Sequence, residues 1–591
     1  MNKLQKVVIA ILILAALAVP LFFCFEGEEG GAGPLDGITF YHEDAAGIRL
    51  CPAPVEGVYN LFVPGSARED LRISCPASVK VVVDDETVLR NGDEITRYVK
   101  NVSEDGVSYI SAKILSFGGR VEFNGYINFF FAGDLPTVHI TVPEADITRI
   151  NNENPEENFE KFHTAGIMRV VDETGRLDTE SDVDMSRRGN TSFLHMDVKP
   201  YNINLSRPAS LLGMRSGRKY ALKANSYDMN HVLRNEAAFD LARKTGMPVT
   251  CDSRFANLYI NGIYNGVYML TNRIKGDELT GLEPGGYLLE LDYRYQTEKY
   301  HFESHDQGIV VHYPETPSVE QMAYIKERYE KAYDAILKNE EYEKYIDVES
   351  FLKMYLIQEF FCNVDVDYAS FYFYLGNDGL FHAGPLWDFD LACGIMQTLP
   401  FHEELAKRSY IIPDNGGIFL DILRENPEFE KRIREYYLKD FSPLVEEYIH
   451  GLLVEKGDRI KEALVTSNIK SPFRFKGLHS LDSAEGLAEW MGERNELLKR
   501  FYSSEDGYVN VVFHFAWGAV RTVAYAGEPL GYLPDSKHPD NEEDFWGEIT
   551  GFVTSGGLVV DENFAPFQNT DLYAVYDEEA HAWEEGYVLP E

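Results

Sequence analysis

Gly384-Pro385-Leu386-Trp387-Asp388-Phe389-Asp390-Leu391-Ala392-Cys393-Gly394 is an apolar run that carries two carboxylates two residues apart and ends in glycine. Read as a strand, it projects Asp388 and Asp390 to one face, because strand side chains alternate. Burying two like charges together is costly unless positive charge lies between them. A divalent cation with oxygen ligands is the usual solution. Upstream, Asn363-Val364-Asp365-Val366-Asp367-Tyr368 is a second acidic stretch, followed by an aromatic strand from Phe371 to Leu375. The two stretches flank an expected hairpin with Asn377-Asp378-Gly379 as its turn. A carboxylate that handles a proton before a hairpin, and a metal carboxylate after it, is an arrangement that phosphoryl-transfer chemistry uses. An arbitrary Asp-x-Asp is more often a solvated strand end. The tryptophan, the apolar flank and the partner acidic stretch weigh against that here.

Around this centre the chain is long and very acidic. Its 591 residues are enough for about two to four domains. The formal charge is -41, spread along the chain rather than gathered in a tail. With no basic stripe to offset repulsion from phosphates, nucleic acid is excluded as the main partner, and a nucleotide needs a local basic pocket or a metal. At the N-terminus Lys3 and Lys6 precede an uncharged run from Val7 to Phe25, and Glu26, Glu28 and Glu29 follow. That run is long enough to span a bilayer, and its positive flank predicts that the remainder lies outside the cytoplasm. A cleaved signal peptide is the competing reading, because Ala16-Leu17-Ala18 resembles a cleavage site. Six cysteines are too few for a disulfide scaffold. Cys51 and Cys75 share one β-rich region and can pair in an oxidising compartment. Cys251, Cys362 and Cys393 sit in apolar surroundings and are expected as buried thiols.

The segments fall in order. Residues 1–30 are the membrane segment and linker. Residues 35–133 are expected as an all-β domain, with alternating runs at Val79–Val83, Val107–Ile114 and Val121–Phe131. A third segment spans 134–503. It opens with strands near Leu135, Lys199 and Lys219, then a helix from Arg234 to Thr245 stopped by Gly246. A hairpin around Asn261-Gly262 and a strand from Gly286 to Asp292 follow. Ser318-Val319-Glu320-Gln321 reads as a capping box, and Asp347 as the cap of a helix running to about Phe361. Ile418 to Leu464 and Ala484 to Phe501 read as mostly helical. Residues 507–577 return to a β pattern, with a loop at Pro539–Gly547. The fold class is α+β. Strands and one helix followed by a helical part holding the acidic sites is two-lobe logic of the kind kinases use, although the protein-kinase motifs HRD and DFG are absent in their usual context.

Within 135–502 several motifs recur in order: Arg188-Gly189-Asn190-Thr191-Ser192, Lys199-Pro200-Tyr201, Ala221-Leu222-Lys223-Ala224-Asn225, Leu233-Arg234-Asn235 and Leu258-Tyr259-Ile260-Asn261-Gly262. Gly285-Gly286-Tyr287-Leu288-Leu289-Glu290, Asn363-Val364-Asp365 and Trp387-Asp388-Phe389-Asp390 continue the series. Together they resemble the spore-coat protein H (CotH) kinase family. The resemblance implies an atypical two-lobed kinase-like fold, and metal-dependent transfer of phosphate from ATP to serine or threonine of a protein. Carried over, Asp365 matches the catalytic aspartate, with Asp367 near enough to be the base instead. Asp388 matches the metal-binding aspartate, with Asp390 as support, and the metal is magnesium or manganese. Lys223 matches the lysine that reaches the nucleotide phosphates, and Arg188, Lys199, Asn225, Arg234 and Asn235 stand in motifs that line the nucleotide pocket. Glu290 is a second metal ligand, the partner of Lys223 or, equally, a member of a cross-strand ion pair. Residues 507–577 resemble a single Listeria–Bacteroides repeat, a small β-grasp-like module of bacterial surface proteins, through Ala526–Pro534 and Asp571–Tyr576.

Each residue also has an ordinary reading. A lysine on a strand is more often a snorkelling surface group, and Asn190 or Asn225 can be turn formers only. Arg218, Lys219, Lys223 and Arg234 nevertheless form a rare basic cluster in this acidic chain. Two further functions stay open: a non-catalytic surface adhesin, favoured by the scarcity of ATP outside cells, and a glycoside hydrolase using Asp365 and Asp388 as its carboxylate pair.

Overall fold

A computed structural model describes residues 37–576, except 43–47, 56–57, 85, 104–105, 117, 156–159, 190–192, 195, 226–231, 275–276, 306, 364–365, 367–368, 395–418, 425, 472–482, 504–507, 516–517 and 535–548. The expected membrane segment and the loop at Pro539–Gly547 therefore lie outside the described residues. Among those described, no helix is long and apolar enough to cross a membrane. The chain divides into two compact units, one of Met1–Val142, Met168–Glu180 and Asn257–Gly266, the other of the remainder.

The first unit is built from alternation. In Ser108–Ser116, Ile110, Ala112 and Ile114 are buried while the residues between them are partly exposed, so one face seeks a core. This strand pairs antiparallel with Val121–Phe131 and Val79–Val83, and Val121–Phe131 pairs parallel with Val58–Val63. A seven-stranded sheet results. A two-stranded sheet, Thr39–His42 against Leu71–Ser74, contributes Phe40, Leu71 and Ile73 to the same core as Leu61, Val81 and Phe129. Each such side chain stabilises the fold by roughly 1.5–3 kcal/mol on burial. Cys51 and Cys75, whose pairing the sequence leaves open, are not joined by a disulfide. The thiol of Cys51 donates to the Asn261 carbonyl at 3.5 Å, and burial followed by the charge of Asp93 raises the pKa of Cys75. The turn at Asn261-Gly262 is as read, with both residues at positive φ of 50° and 82°, which a two-residue hairpin turn demands.

In the second unit, strands β1 (Leu177–Arg187), β2 (Tyr201–Ala209) and β3 (Gly217–Lys223) precede helix α1 (Arg234–Lys244), and β4 (Ile263–Asn272) follows it. From Ser181 and from Val267 onward these strands run antiparallel in the order β1-β2-β3-β4. Register fixes the faces. Ser186 lies opposite Asn202, Asn202 opposite Ala221, and Ala221 opposite Thr271, and directly opposed residues share a face. The other face carries Met185, Ile203, Tyr220, Leu222 and Leu270, all fully buried. One side of the sheet is thus a core wall and the other is polar.

A second sheet has β5 (Tyr287–Leu291), β6 (His301–Ser304), β7 (Gln307–Tyr313), β8 (Phe371–Leu375) and β9 (Phe381–Ala383), ordered β6-β7-β5-β8-β9. The expected hairpin is β8–β9, closed by the bond from Gly379 N to Gly376 O. Between β7 and β8 lie α2 (Val319–Lys338) and α3 (Val348–Phe361). The capping box at Ser318 and Gln321 forms as expected, and Asp347 caps α3 by accepting from Glu349 N. Helix α3 has no single apolar face and is almost wholly buried, so tertiary packing rather than amphipathicity holds it. Its Glu359 meets Arg494 at 2.6 Å with both side chains fully buried. Helices then run as α4 (Phe419–Arg424), α5 (Pro427–Tyr436), α6 (Ser442–His450), α7 (Leu452–Lys470) and α8 (Ala484–Ser503). A five-stranded sheet ends the described chain. Its strands are β10 (Tyr508–Phe515), β11 (Gly518–Tyr525), β12 (Ile549–Thr554), β13 (Val559–Val560) and β14 (Thr570–Tyr576), in the order β11-β10-β14-β12-β13 with β10 and β14 parallel. The molecule is mixed α and β with several sheets, as the order of the runs predicts.

Candidate functional site

The polar face of the β1–β4 sheet is where the chemistry gathers. Ala221 faces this side, so Lys223, two residues on, faces it too. Lys223 is buried; its ammonium donates to Asp388 Oδ1 at 2.7 Å and to Asn235 Oδ1 at 2.9 Å. Asp390 Oδ1 lies 3.6 Å from the same nitrogen. Asn235 comes from the first turn of α1, and its oxygen also accepts from Phe389 N at 2.9 Å. One amide therefore fixes both the lysine and the backbone between the two aspartates.

The Asp388 segment is not the strand its sequence predicts. Regular pairing ends at Ala383, and Asp388 has a φ of +61°, in the left-handed region. Asp is among the few non-glycine residues enriched there. The alternation survives for another reason. Trp387 packs on Phe239 at 6.1 Å and Phe389 packs edge-on against Phe361 at 5.5 Å, so the intervening aspartates are directed to Lys223. Side-chain packing, not sheet hydrogen bonding, puts both carboxylates on one side.

Burial opposes ionisation of Asp388. The Lys223 charge, side-chain hydrogen bonding with Asp390 and Lys223, and the charge of Arg188 overcome it and hold the carboxyl below the usual range. The Asp388 side chain keeps 36% of its surface exposed, so this anion still faces solvent. Arg188 lies over the Trp387 ring at 4.8 Å and Lys223 over it at 5.1 Å, a cation–π arrangement that orders both. Arg188 also donates to Asn202 Oδ1 at 3.3 Å.

The other expected residues are placed as follows. Asn225 has a φ of 47°, the left-handed backbone its residue type tolerates, and donates to the Val232 carbonyl. Arg234 is fully buried at the start of α1. Lys199 makes local contacts instead, donating to the Phe193 carbonyl at 2.6 Å and lying over the Phe193 ring, and burial lowers its pKa. Glu290 is not the partner of Lys223. Its carboxylate binds His312 at 2.5 Å across β5 and β7 and hydrogen-bonds Tyr372 on β8. Asp365 and Asp367 lie outside the described residues; Asn363 just before them is buried and donates to Gln358 at 2.9 Å. Among the described residues no group of three or more His, Cys, Asp and Glu side chains is placed to hold a metal. The donor set at Asp388 and Asp390 is two carboxylates, which suits magnesium, an ion that keeps water and takes remaining ligands from phosphate oxygens.

Sequence reasoning missed Arg273. It follows β4, its amide continues the ladder to the Lys219 carbonyl at 3.0 Å, and its guanidinium donates to Asn204 Oδ1 at 3.1 Å. The signal lay in register: opposed to Lys219, it shares that residue's face.

Compared with known families, residues 185–498 match the model described as CotH kinase protein. That span is just over half of the 591 residues, and the chain belongs to this family. No curated protein matches it. The family supports a kinase-like enzyme.

Proposed function

We propose that the chain is a metal-dependent protein kinase that transfers the terminal phosphate of ATP to serine or threonine of an extracytoplasmic protein. The observation that carries this reading is the convergence of Lys223, Asp388 and Asp390 on the polar face of the β1–β4 sheet. A lysine beside an acidic loop is a place where phosphate charge and a cation can both be received.

Asp388 would hold a magnesium or manganese ion, with Asp390 beside it; the ion supplies neutralisation of phosphate charge. The chain's own residues do the rest. Lys223 offers its ammonium to phosphate oxygens, and Asn235 keeps it aimed by an uncharged bond. Trp387 shields one side of Lys223 and Arg188 from water, which strengthens their attraction for an anion. Asp365, or Asp367, would accept the proton of the acceptor hydroxyl, as the family resemblance implies. Glu290 would serve as a further metal ligand only by leaving His312.

The extracytoplasmic placement rests on the run Val7–Phe25 with Lys3 and Lys6 before it, which we read as a membrane anchor with its body outside. We also read residues 507–577 as a Listeria–Bacteroides-type repeat. The mixed sheet with parallel β10 and β14 at its centre supports a β-grasp-like arrangement.

Intact-mass spectrometry after incubation with ATP and magnesium or manganese, with and without candidate acceptors, tests the reading beside Asp365→Asn and Asp388→Asn. Phosphate gained by the parent and lost in both variants is the expected result. An Asp388→Asn protein that still transfers phosphate overturns the site. Failure of the parent to bind any nucleotide moves the protein to the non-catalytic adhesin class.

A further inference from the structure

We infer that Arg188, level with Lys223, and Arg273, further back on the same face, together hold a nucleotide's phosphate chain, making Arg273 a binding residue of this site. The inference rests on the kinase reading above and adds to it a residue and a direction.

Both guanidiniums stand on the polar sheet face, Arg188 just after β1 and Arg273 just after β4. Each is positioned by a neutral amide: Asn202 takes Arg188 at 3.3 Å and Asn204 takes Arg273 at 3.1 Å. The two asparagines are two residues apart on β2, so they face the same side. Asn204 is itself set by donating to Asp184 at 3.0 Å, and Asp184 also binds His163 at 2.7 Å.

Several other cations of this unit are treated differently. Arg187 is paired with Glu153, Lys219 with Glu315, Arg494 with Glu359, and Lys456 with Glu236 and Asp240. Among the described residues neither Arg188 nor Arg273 has a carboxylate at ion-pair distance, although the chain carries a net charge of -41. A half-buried guanidinium fixed by an amide keeps its remaining donors for something else. Burial first, and the neighbouring Arg188 charge second, bring Arg273 down to about 10; Tyr372 and Asp184 act the other way and are outweighed. Two guanidiniums that repel each other are what a multiply charged anion relieves.

The direction follows from register. Arg188 is level with the Lys223 end of β3, because its amide bonds to the Pro200 carbonyl beside Tyr201, and Tyr201 opposes Leu222. Arg273 is level with Lys219, four residues and so about 13 Å back along β3. Arg188 and Lys223 are therefore level with each other beside Asp388, and Arg273 stands further back on the same face. Cations spread over that length suit a chain of phosphates better than a single one.

Isothermal titration of the full chain with inorganic tripolyphosphate, ATP and adenosine, without any transfer step, decides the matter. The parent is expected to bind tripolyphosphate and ATP. Arg273→Gln should weaken both at least tenfold and leave adenosine binding unchanged, while Arg273→Lys recovers part of the loss. A thermal shift with tripolyphosphate in the parent, smaller in both variants, is the companion measurement should Arg273→Gln fold poorly. If the parent binds ATP and Arg273→Gln binds tripolyphosphate and ATP equally well, this inference falls and the kinase reading stands. If the parent binds neither, both fall.

Discussion

Lys223 Nζ and Asp388 Oδ1, 165 residues apart in the chain, are joined by a hydrogen-bonded ion pair of 2.7 Å. The pair links the polar face of one sheet to the loop that follows the other, and Asp390 waits 3.6 Å away. Removing the ammonium takes the hydrogen-bonded counter-charge away from two neighbouring carboxylates.

Lys223→Met is therefore expected to lower stability near neutral pH by about 1–3 kcal/mol, the value for a broken buried pair reduced for the solvent that still reaches Asp388. The sign with pH is set. Asp388 has a lowered folded pKa, so its contribution is present above the unfolded carboxylate range and is lost as pH falls through the folded value. Without Lys223 the carboxyls protonate more readily, and the deficit relative to the parent should shrink between pH 7.5 and pH 4. Thermal melts across that range check it; a deficit that grows on acidification contradicts the pairing.

His382 predicts the opposite slope. Its ring lies between Asp347 at 3.0 Å and Asp378 at 3.0 Å. Burial disfavours the charged ring, but the Asp347 hydrogen bond and the Asp378 charge outweigh it and raise the pKa. Stability from this group is complete below the ordinary histidine value and is lost as pH rises through the raised one. Because Asp347 caps α3, His382→Gln should cost about 1 kcal/mol at pH 6 and less at pH 8.5. Denaturant midpoints at the two pH values measure the difference, and equal costs would remove the charged histidine from the account.

Much of this was legible beforehand. The α1 helix, the capping box at Ser318, the Asp347 cap and the β8–β9 hairpin follow from local rules, and each is where the residues put it. The Trp387–Asp390 segment shows the limit. Its period-two pattern is real, yet it is enforced by Trp387 on Phe239 and Phe389 on Phe361, partners distant in sequence that a local pattern cannot name. For Glu290 the sequence leaves a cross-strand ion pair open, but only the sheet order names His312 from β7 as the partner. Arg273 needed the β3–β4 register, which no single strand discloses.

The ion pair of Glu359 and Arg494 anchors α3 just before the Asn363 stretch. Both side chains are fully buried, and Arg494 also donates to the Glu359 carbonyl at 2.8 Å. Arg494→Met leaves a carboxylate buried without its counter-ion and should cost about 3–5 kcal/mol. Replacing both, as Glu359→Leu with Arg494→Met, should recover a large part of that loss, since a well-packed apolar pair avoids the desolvation cost. Chemical denaturation of the two variants compares them directly; a double variant no better than the single one would show that the backbone bond, not the charge pair, matters.

Asn235 separates positioning from charge. Its oxygen accepts from Lys223 and from the buried Phe389 amide, so Asn235→Leu leaves a donor without a partner and should cost about 1–3 kcal/mol at any pH. It should also lower the rate of phosphate transfer more than it raises KM for ATP, because Lys223 remains present but is no longer aimed. Asn235→Asp keeps both acceptor bonds and adds a third carboxylate around one ammonium. Crowded carboxyls have raised pKa values, and an acid with a raised folded pKa contributes stability only at low pH. The aspartate variant should thus be close to the parent at pH 5 and clearly weaker at pH 7.5, while the leucine variant is weaker at both. Melting curves at the two pH values discriminate. Parallel losses in the two variants would mean that Asn235 supports the loop alone and that Lys223 is held by the aspartates without it.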